Sequence, residues 1–124
     1  MKKRVFYNKL VRDDIEERIT AKGEACEIRV IEEDAELQQE LLKKVREEAS
    51  SLAHSRDRQE FLSEYCDLMV VLDELTAQLG YSEADIKVAM EENIKLKGFY
   101  KKRHFLHWSE DGAYKSNETP QGLQ

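Results

Sequence analysis

The sequence predicts an all-α protein, an antiparallel helical bundle with a short N-terminal helix and at most a minor extended element. Of its 124 residues, 37% are charged, 8% are aromatic and one is proline, a composition typical of long helices rather than of a β-sandwich. Apolar residues recur at steps of three and four in three long stretches, as on one face of a helix. A chain of this length forms one domain with a single modest core.

The first helix is expected at residues 9–21, with Asn8 as its N-cap and Gly23 as the residue that stops it. Residues 26–30 then alternate between apolar and polar side chains, which is the pattern of a short strand. A strand needs a partner, and residues 4–7 and 103–108 are both possible. The N-terminal part of the chain is therefore predicted to hold one short helix and the minor extended element.

Three long helices follow from the apolar periodicity, at residues 35–54, 59–79 and 82–100. Asp34 can cap the first of them, and Gly80 ends the second. Ser82 and Asp85 form a capping box that opens the third. We assign the helical domain to residues 1–108, and a polar, flexible C-terminal tail to residues 109–124, where Asp, Gly, Ser, Asn, Thr, Pro and Gln dominate.

Charge and hydropathy exclude several classes of partner. The formal net charge of −6 argues against nucleic-acid binding and against binding to an anionic membrane. No apolar run approaches the roughly 20 residues of a membrane span, and the basic start is not followed by the apolar h-region of a signal peptide. The two cysteines have neither CxxC nor zinc-site spacing. We therefore expect a cytoplasmic protein in a reducing compartment.

Two short acidic motifs lie on consecutive predicted helices. Glu47 and Glu48 are adjacent, about 100° apart around one helix, and Glu64 and Asp67 lie about 60° apart on the next. If the two acidic faces meet, four carboxylates converge, and such a cluster suits a hard cation such as Mg²⁺ or Mn²⁺. A solvated helix face is the alternative interpretation. Glu64 and Asp67 border the apolar stripe of their helix, which favours a site.

Two basic sets could contact phosphate. Lys9, Arg12 and Asp13 share about one turn at a predicted helix start, where backbone N–H groups favour anions; a charged, solvated helix start is the alternative. A second set lies near the end of the last helix, where the helix dipole alone favours cations; it consists of Asn93, Lys95, Lys97, Lys101, Lys102 and Arg103. The candidate substrate-binding residues are Asn8, Lys9, Arg12, Asp13, Asn93, Lys95 and Lys97.

Four ordered blocks carry a family resemblance: YNKLVRD at residues 7–13, the pair Glu47–Glu48, the ExxD motif of Glu64 and Asp67, and KRHFL at residues 102–106. Together they resemble the all-α NTP pyrophosphohydrolases of the MazG-like superfamily, in its phosphoribosyl-ATP pyrophosphohydrolase-like branch. The family pattern is EExxE followed by ExxD, and its acidic side chains hold Mg²⁺ between helices. The resemblance implies that the catalytic and metal-binding residues are Glu47, Glu48, Glu64 and Asp67, with Mg²⁺ as cofactor and Mn²⁺ as a possible substitute.

The chain departs from the family pattern in two places. Ser51 stands where the third glutamate of EExxE is expected, about 40° around the helix from Glu47, so the site carries one negative charge less. Residues 14–16 read Asp-Ile-Glu, where the branch usually has Lys-Ile-Pro, which bears on any phosphate contact by residue 14.

The resemblance implies an enzyme that cleaves an NTP or dNTP between the α- and β-phosphates, giving the monophosphate and pyrophosphate, as house-cleaning pyrophosphatases do. It also implies a homo-oligomer, a dimer or larger. Phosphoribosyl-ATP is the alternative substrate. The alternative from another class is a non-catalytic helical binding or assembly module with a degenerate metal site, which Ser51 favours.

Overall fold

The computed structural model describes residues 3–113 and residue 117. It contains four helices: α1 (Ile15–Ala21), α2 (Asp34–Ala53), α3 (Arg58–Gln78) and α4 (Glu83–Lys97). The described residues contain no strand, so the prediction of an all-α fold is confirmed. Among these residues, none of the helices combines the length and apolar character that crossing a membrane requires.

The three long helices begin and end within three residues of their predicted limits. Side-chain caps explain two of the starts. Asp57 accepts a hydrogen bond from the backbone N–H of Glu60 at 2.8 Å, at the beginning of α3. Ser82 and Asp85 exchange side-chain-to-backbone hydrogen bonds of 2.8 and 3.1 Å at the beginning of α4, which confirms the predicted capping box. The hydrogen bond from the Ser82 backbone lowers the pKa of Asp85.

The prediction for the first helix was wrong in its start. Helix α1 begins at Ile15 rather than at residue 9. Asn8 has a φ of 48°, in the left-handed region, whereas an N-cap residue is normally extended. Asp14 precedes the helix and makes no side-chain cap. Leu10 instead packs against the core between α2 and α3, so tertiary contact overrides the local helical pattern.

Two smaller predictions were also wrong. Residues 26–30 form no strand, and neither do the two stretches considered as partners; an isolated strand has no backbone groups to pair with. The N-cap of α2 is Glu33, without a side-chain hydrogen bond, and Asp34 lies inside the helix. As a helical residue in the first turn, Asp34 still lies where the helix dipole favours a negative charge.

Helices α2 and α3 pack against each other over a small core. The core consists of Leu41 from α2 with Val71 and Leu75 from α3, flanked by the half-buried residues Leu10, Leu37 and Val45. The side-chain amide of Gln38 donates a hydrogen bond to the backbone oxygen of Gln78 at 3.4 Å, so an early residue of α2 contacts the last residue of α3. This contact is compatible with the predicted antiparallel arrangement.

The residues of the chain cluster into two compact units, Met1–Ile86 and Lys87–Gln124. The first unit contains α1, α2, α3 and the acidic motifs. The second contains most of α4 and the residues that follow it. Of the predicted tail, residues 109–113 and 117 are described, and the remainder lies outside the described residues; the division at residue 108 stays a prediction.

Candidate metal centre

Three carboxylates converge between α2 and α3. Glu48 comes from α2, Glu64 and Asp67 come from α3, and one carboxylate oxygen of each lies within 4.8 Å of the other two. All three residues are half-buried. Glu64 and Asp67 share one face of α3 because side chains three positions apart are neighbours on the surface of a helix. Two oxygens on opposite sides of one cation lie about 4–5 Å apart, so a single divalent ion fits among the three.

Glu47 lies next to this triad of Glu48, Glu64 and Asp67 without belonging to it. Its carboxylate accepts a hydrogen bond from Lys9 Nζ at 2.9 Å, and this bond, with the charge of Lys44, lowers the pKa of Glu47. Adjacent residues on a helix diverge by about 100°, which explains why the two glutamates have different partners. The structure thus brings together three of the four predicted carboxylates and places the fourth beside two lysines.

Lys44 is the cation that sequence reasoning missed. Its Nζ lies 3.1 Å from Glu48 Oε1 and 3.5 Å from Glu47 Oε1, and its side chain is only 14% exposed. Because it is largely covered, its charge is screened less by solvent than that of an exposed lysine. The spacing of four residues between Lys44 and Glu48 is a standard helical ion-pair spacing, so the sequence did contain the signal.

Glu64 lies in an environment that disfavours its ionised form. Partial burial raises its pKa, and the charges of Asp67, Glu48 and Glu60 raise it further. Both causes disfavour the ionised carboxylate, the first through lost hydration and the second through like-charge repulsion. A divalent cation removes the repulsion, so the arrangement favours either a proton or a cation at this position.

This environment predicts how Glu64→Gln affects stability. Because the folded-state pKa of Glu64 is raised, folded protein binds this proton more tightly than unfolded protein does. The group therefore favours folding at low pH, and this contribution is lost as pH rises through the folded-state pKa. In EDTA, we expect Glu64→Gln to be more stable than the parent at pH 7.5, by a margin that shrinks towards pH 4. Urea unfolding across this pH range measures the margin, and a pH-independent difference would contradict the assignment.

Lys9 and Arg12, the two cations of the first basic set, lie beside acidic residues of α2 and α3. Arg12 Nη1 is 3.6 Å from Asp67 Oδ1, while Asn8 and Asp13 are exposed. Lys9 and Arg12 thus contact the acidic helices directly, which the sequence did not predict. The other candidate substrate-binding residues are exposed residues of α4 in the second unit: Asn93, Lys95 and Lys97.

Ser51 lies one helical turn beyond the acidic pair of α2 and is half-buried. At positions i+3 from Glu48 and i+4 from Glu47, it shares their side of the helix. A longer acidic side chain at this position would point along the same side as Glu48. The position that the resemblance assigns to a third glutamate therefore lies on the side of α2 that carries Glu48, and the residue present there is neutral.

Comparisons of this chain with protein-family models, with curated proteins and with solved structures found no match.

Proposed function

We propose that this protein is a Mg²⁺-dependent nucleotide pyrophosphohydrolase that hydrolyses an NTP or dNTP to the monophosphate and pyrophosphate. The observation that carries the proposal is the convergence of Glu48, Glu64 and Asp67 from two helices onto one point. The order of the acidic motifs along the chain, which resembles that of the MazG-like superfamily, supports the same reaction.

The donor set fits a hard divalent cation. Glu48, Glu64 and Asp67 offer only carboxylate oxygens, the ligands that Mg²⁺ and Mn²⁺ prefer. Bound there, the ion would neutralise phosphate oxygens and lower the pKa of a coordinated water. Three protein ligands leave positions open on a six-coordinate ion, and substrate oxygens commonly fill such positions.

The remaining charged residues have roles that follow from their positions. Glu47 lies beside the triad and is not one of its members, so its carboxylate is not used in ligation and can accept a proton from the attacking water. Lys9 and Arg12 lie beside the acidic helices, where their charge can stabilise the leaving pyrophosphate. The chain thus supplies ligands, a proton acceptor and cations within one part of its first unit.

The test is a nucleotide panel assayed by two products. Full-length protein is incubated with each NTP and dNTP and with phosphoribosyl-ATP in Mg²⁺, and pyrophosphate and nucleoside monophosphate are quantified together. We expect the two in equal amounts for at least one substrate, and none in EDTA. Nucleoside diphosphate and orthophosphate would indicate cleavage at the wrong bond. No product from any nucleotide, with the helical circular dichroism intact, would overturn the proposal.

One feature favours a second candidate, a non-catalytic helical binding or assembly module. Lys44 and Arg12 already pair with Glu48 and Asp67 of the triad, and Lys9 pairs with Glu47 beside it. Ser51 leaves the site one negative charge short of the family pattern. Such a cluster can persist as a network of ion pairs without a bound metal. The nucleotide panel separates this candidate from the enzyme.

The variant Ser51→Glu tests how much the missing carboxylate lowers the affinity for a divalent cation. A carboxylate one turn beyond Glu48 adds a fourth acidic ligand beside the triad, so we expect Mn²⁺ to bind at least about tenfold more tightly, a typical effect of a change at a metal site. Isothermal titration of parent, Ser51→Glu and the neutral control Ser51→Gln provides the comparison. Equal affinities in all three would show that residue 51 does not reach the ion.

We propose a cytoplasmic protein that acts on a free nucleotide and binds no nucleic acid, in keeping with its net charge of −6. We also propose a homo-oligomer. Three apolar side chains near the start of α3 are 46–63% exposed in the single chain: Phe61, Leu62 and Tyr65. An exposed apolar surface is a common feature of oligomer interfaces.

A further inference from the structure

The segment before α1, residues 3–14, contains neither helix nor strand, yet three of its residues contact the α2–α3 pair. Leu10 is half-buried against the core of Leu41, Val71 and Leu75. Lys9, immediately before it, bonds to Glu47 on α2 at 2.9 Å. The segment is thus held to the α2–α3 pair by one apolar contact and one ion pair that are adjacent in the chain.

On the other side of Leu10, the same segment reaches α3. Arg12 lies 3.6 Å from Asp67, which is one of the three clustered carboxylates. Lys9 and Arg12 therefore place two positive charges across the acidic surface, one on each helix. We call residues 9–12 the cationic strap, with Leu10 as its anchor.

We propose that Arg12 of the cationic strap and a divalent cation compete for Asp67, one of the carboxylates of the triad. An ion bound by Glu48, Glu64 and Asp67 replaces Arg12 as the partner of Asp67, so Arg12 becomes available to an anionic phosphate group. This inference rests on the proposed function in one respect, that the triad binds the ion. It adds an order of events, in which occupation of the triad prepares the phosphate-binding cations.

The exposure of the ion pair makes this exchange feasible. The side chains of Arg12 and Asp67 are 56% and 43% exposed, and pairs this open to solvent contribute little to stability. An ion held by three carboxylates can therefore displace the guanidinium at small cost. Leu10 keeps the strap attached to the core while Arg12 changes its partner. Because competition is reciprocal, weakening the strap strengthens ion binding, and ion binding loosens the strap.

The experiment titrates Mn²⁺ into the full chain without nucleotide. Parent and Arg12→Met are compared by isothermal titration, with Arg29→Gln as the matched control. Arg29 forms an ion pair with Glu36 on α2, away from the triad residues. We expect Arg12→Met to bind Mn²⁺ about threefold to fivefold more tightly, the size expected for loss of one exposed ion pair, and Arg29→Gln to match the parent.

A second measurement follows the strap itself. Trypsin cleaves after lysine and arginine, so cleavage after Lys9 and Arg12 reports how accessible the strap is, with cleavage after Lys22 as the internal reference. We expect Mn²⁺ to accelerate cleavage of the parent after Arg12 relative to cleavage after Lys22.

The proposal would be overturned if Arg12→Met bound Mn²⁺ no more tightly than the parent and if Mn²⁺ left cleavage of the parent after Arg12 unchanged. If no form of the protein bound Mn²⁺, both the strap and the metal centre would be rejected. A chain that binds Mn²⁺ as expected but hydrolyses no nucleotide would reject the proposed function and leave the strap standing.

Discussion

Asp67→Asn is expected to lower pyrophosphate release about 100-fold or more. Asp67 supplies one of the three converging carboxylates, and asparagine keeps its size while removing the charge. Changing even an outer-shell partner of a metal typically costs 10–100-fold in affinity or activity, so the loss of a direct ligand should reach at least the upper end. The rate is measured at saturating Mg²⁺ with the best substrate of the nucleotide panel.

Asp73→Asn is the matched control, because Asp73 is an exposed residue of the same helix and is outside the triad. We expect it to retain the parent's rate. Both variants should have the parent's circular dichroism at 222 nm. An Asp67→Asn protein that kept most of its activity would show that the triad does not hold the catalytic ion, and the proposed mechanism would have to be abandoned.

Leu41→Ala is expected to cause the largest loss of stability. Leu41 is 3% exposed and is the only α2 residue among the three buried core residues described. Leucine-to-alanine changes in cores cost about 2–5 kcal/mol, and a small domain has only about 5–15 kcal/mol in total. A core this small has little to compensate the cavity, so we expect a large fall in the urea midpoint.

The neighbouring residue provides the control. Leu42 is 57% exposed, and we expect Leu42→Ala to change the free energy of unfolding by no more than about 0.5 kcal/mol, as is usual at the surface. Urea unfolding followed at 222 nm compares the two. Similar losses for Leu41→Ala and Leu42→Ala would mean that a partner surface covers Leu42 in solution, since an exposed leucine has no core contacts to lose.

The long helices could be predicted because their signals are local. Apolar periodicity and the cap at Ser82 agree with each other, and the helix limits follow within three residues. The start of α1 could not be predicted, because the contact of Leu10 with residues far along the chain decides it. A periodic pattern predicts which face of a helix is apolar, but it does not show when a tertiary contact holds residues in a non-helical path.

The acidic site, too, could be predicted only in part. Helical spacing predicted that Glu64 and Asp67 would share a face, and the structure adds Glu48 to them. Helical spacing did not predict the hydrogen bond between Lys9 and Glu47, because the two residues are 38 positions apart in the chain. Local geometry thus indicated which residues could form the site, and only the folded chain shows how their charges are balanced.

The location of the triad has a consequence for ligand screening. Glu48 belongs to one helix and the other two carboxylates to its packing partner, so an ion among them joins the helices as a crosslink does. Ligand that binds only the folded state adds about 2.7 kcal/mol at a concentration of 100 times its dissociation constant. Melting temperature therefore becomes a sensor of occupancy, and a thermal-shift series over divalent ions can rank them before any substrate has been identified.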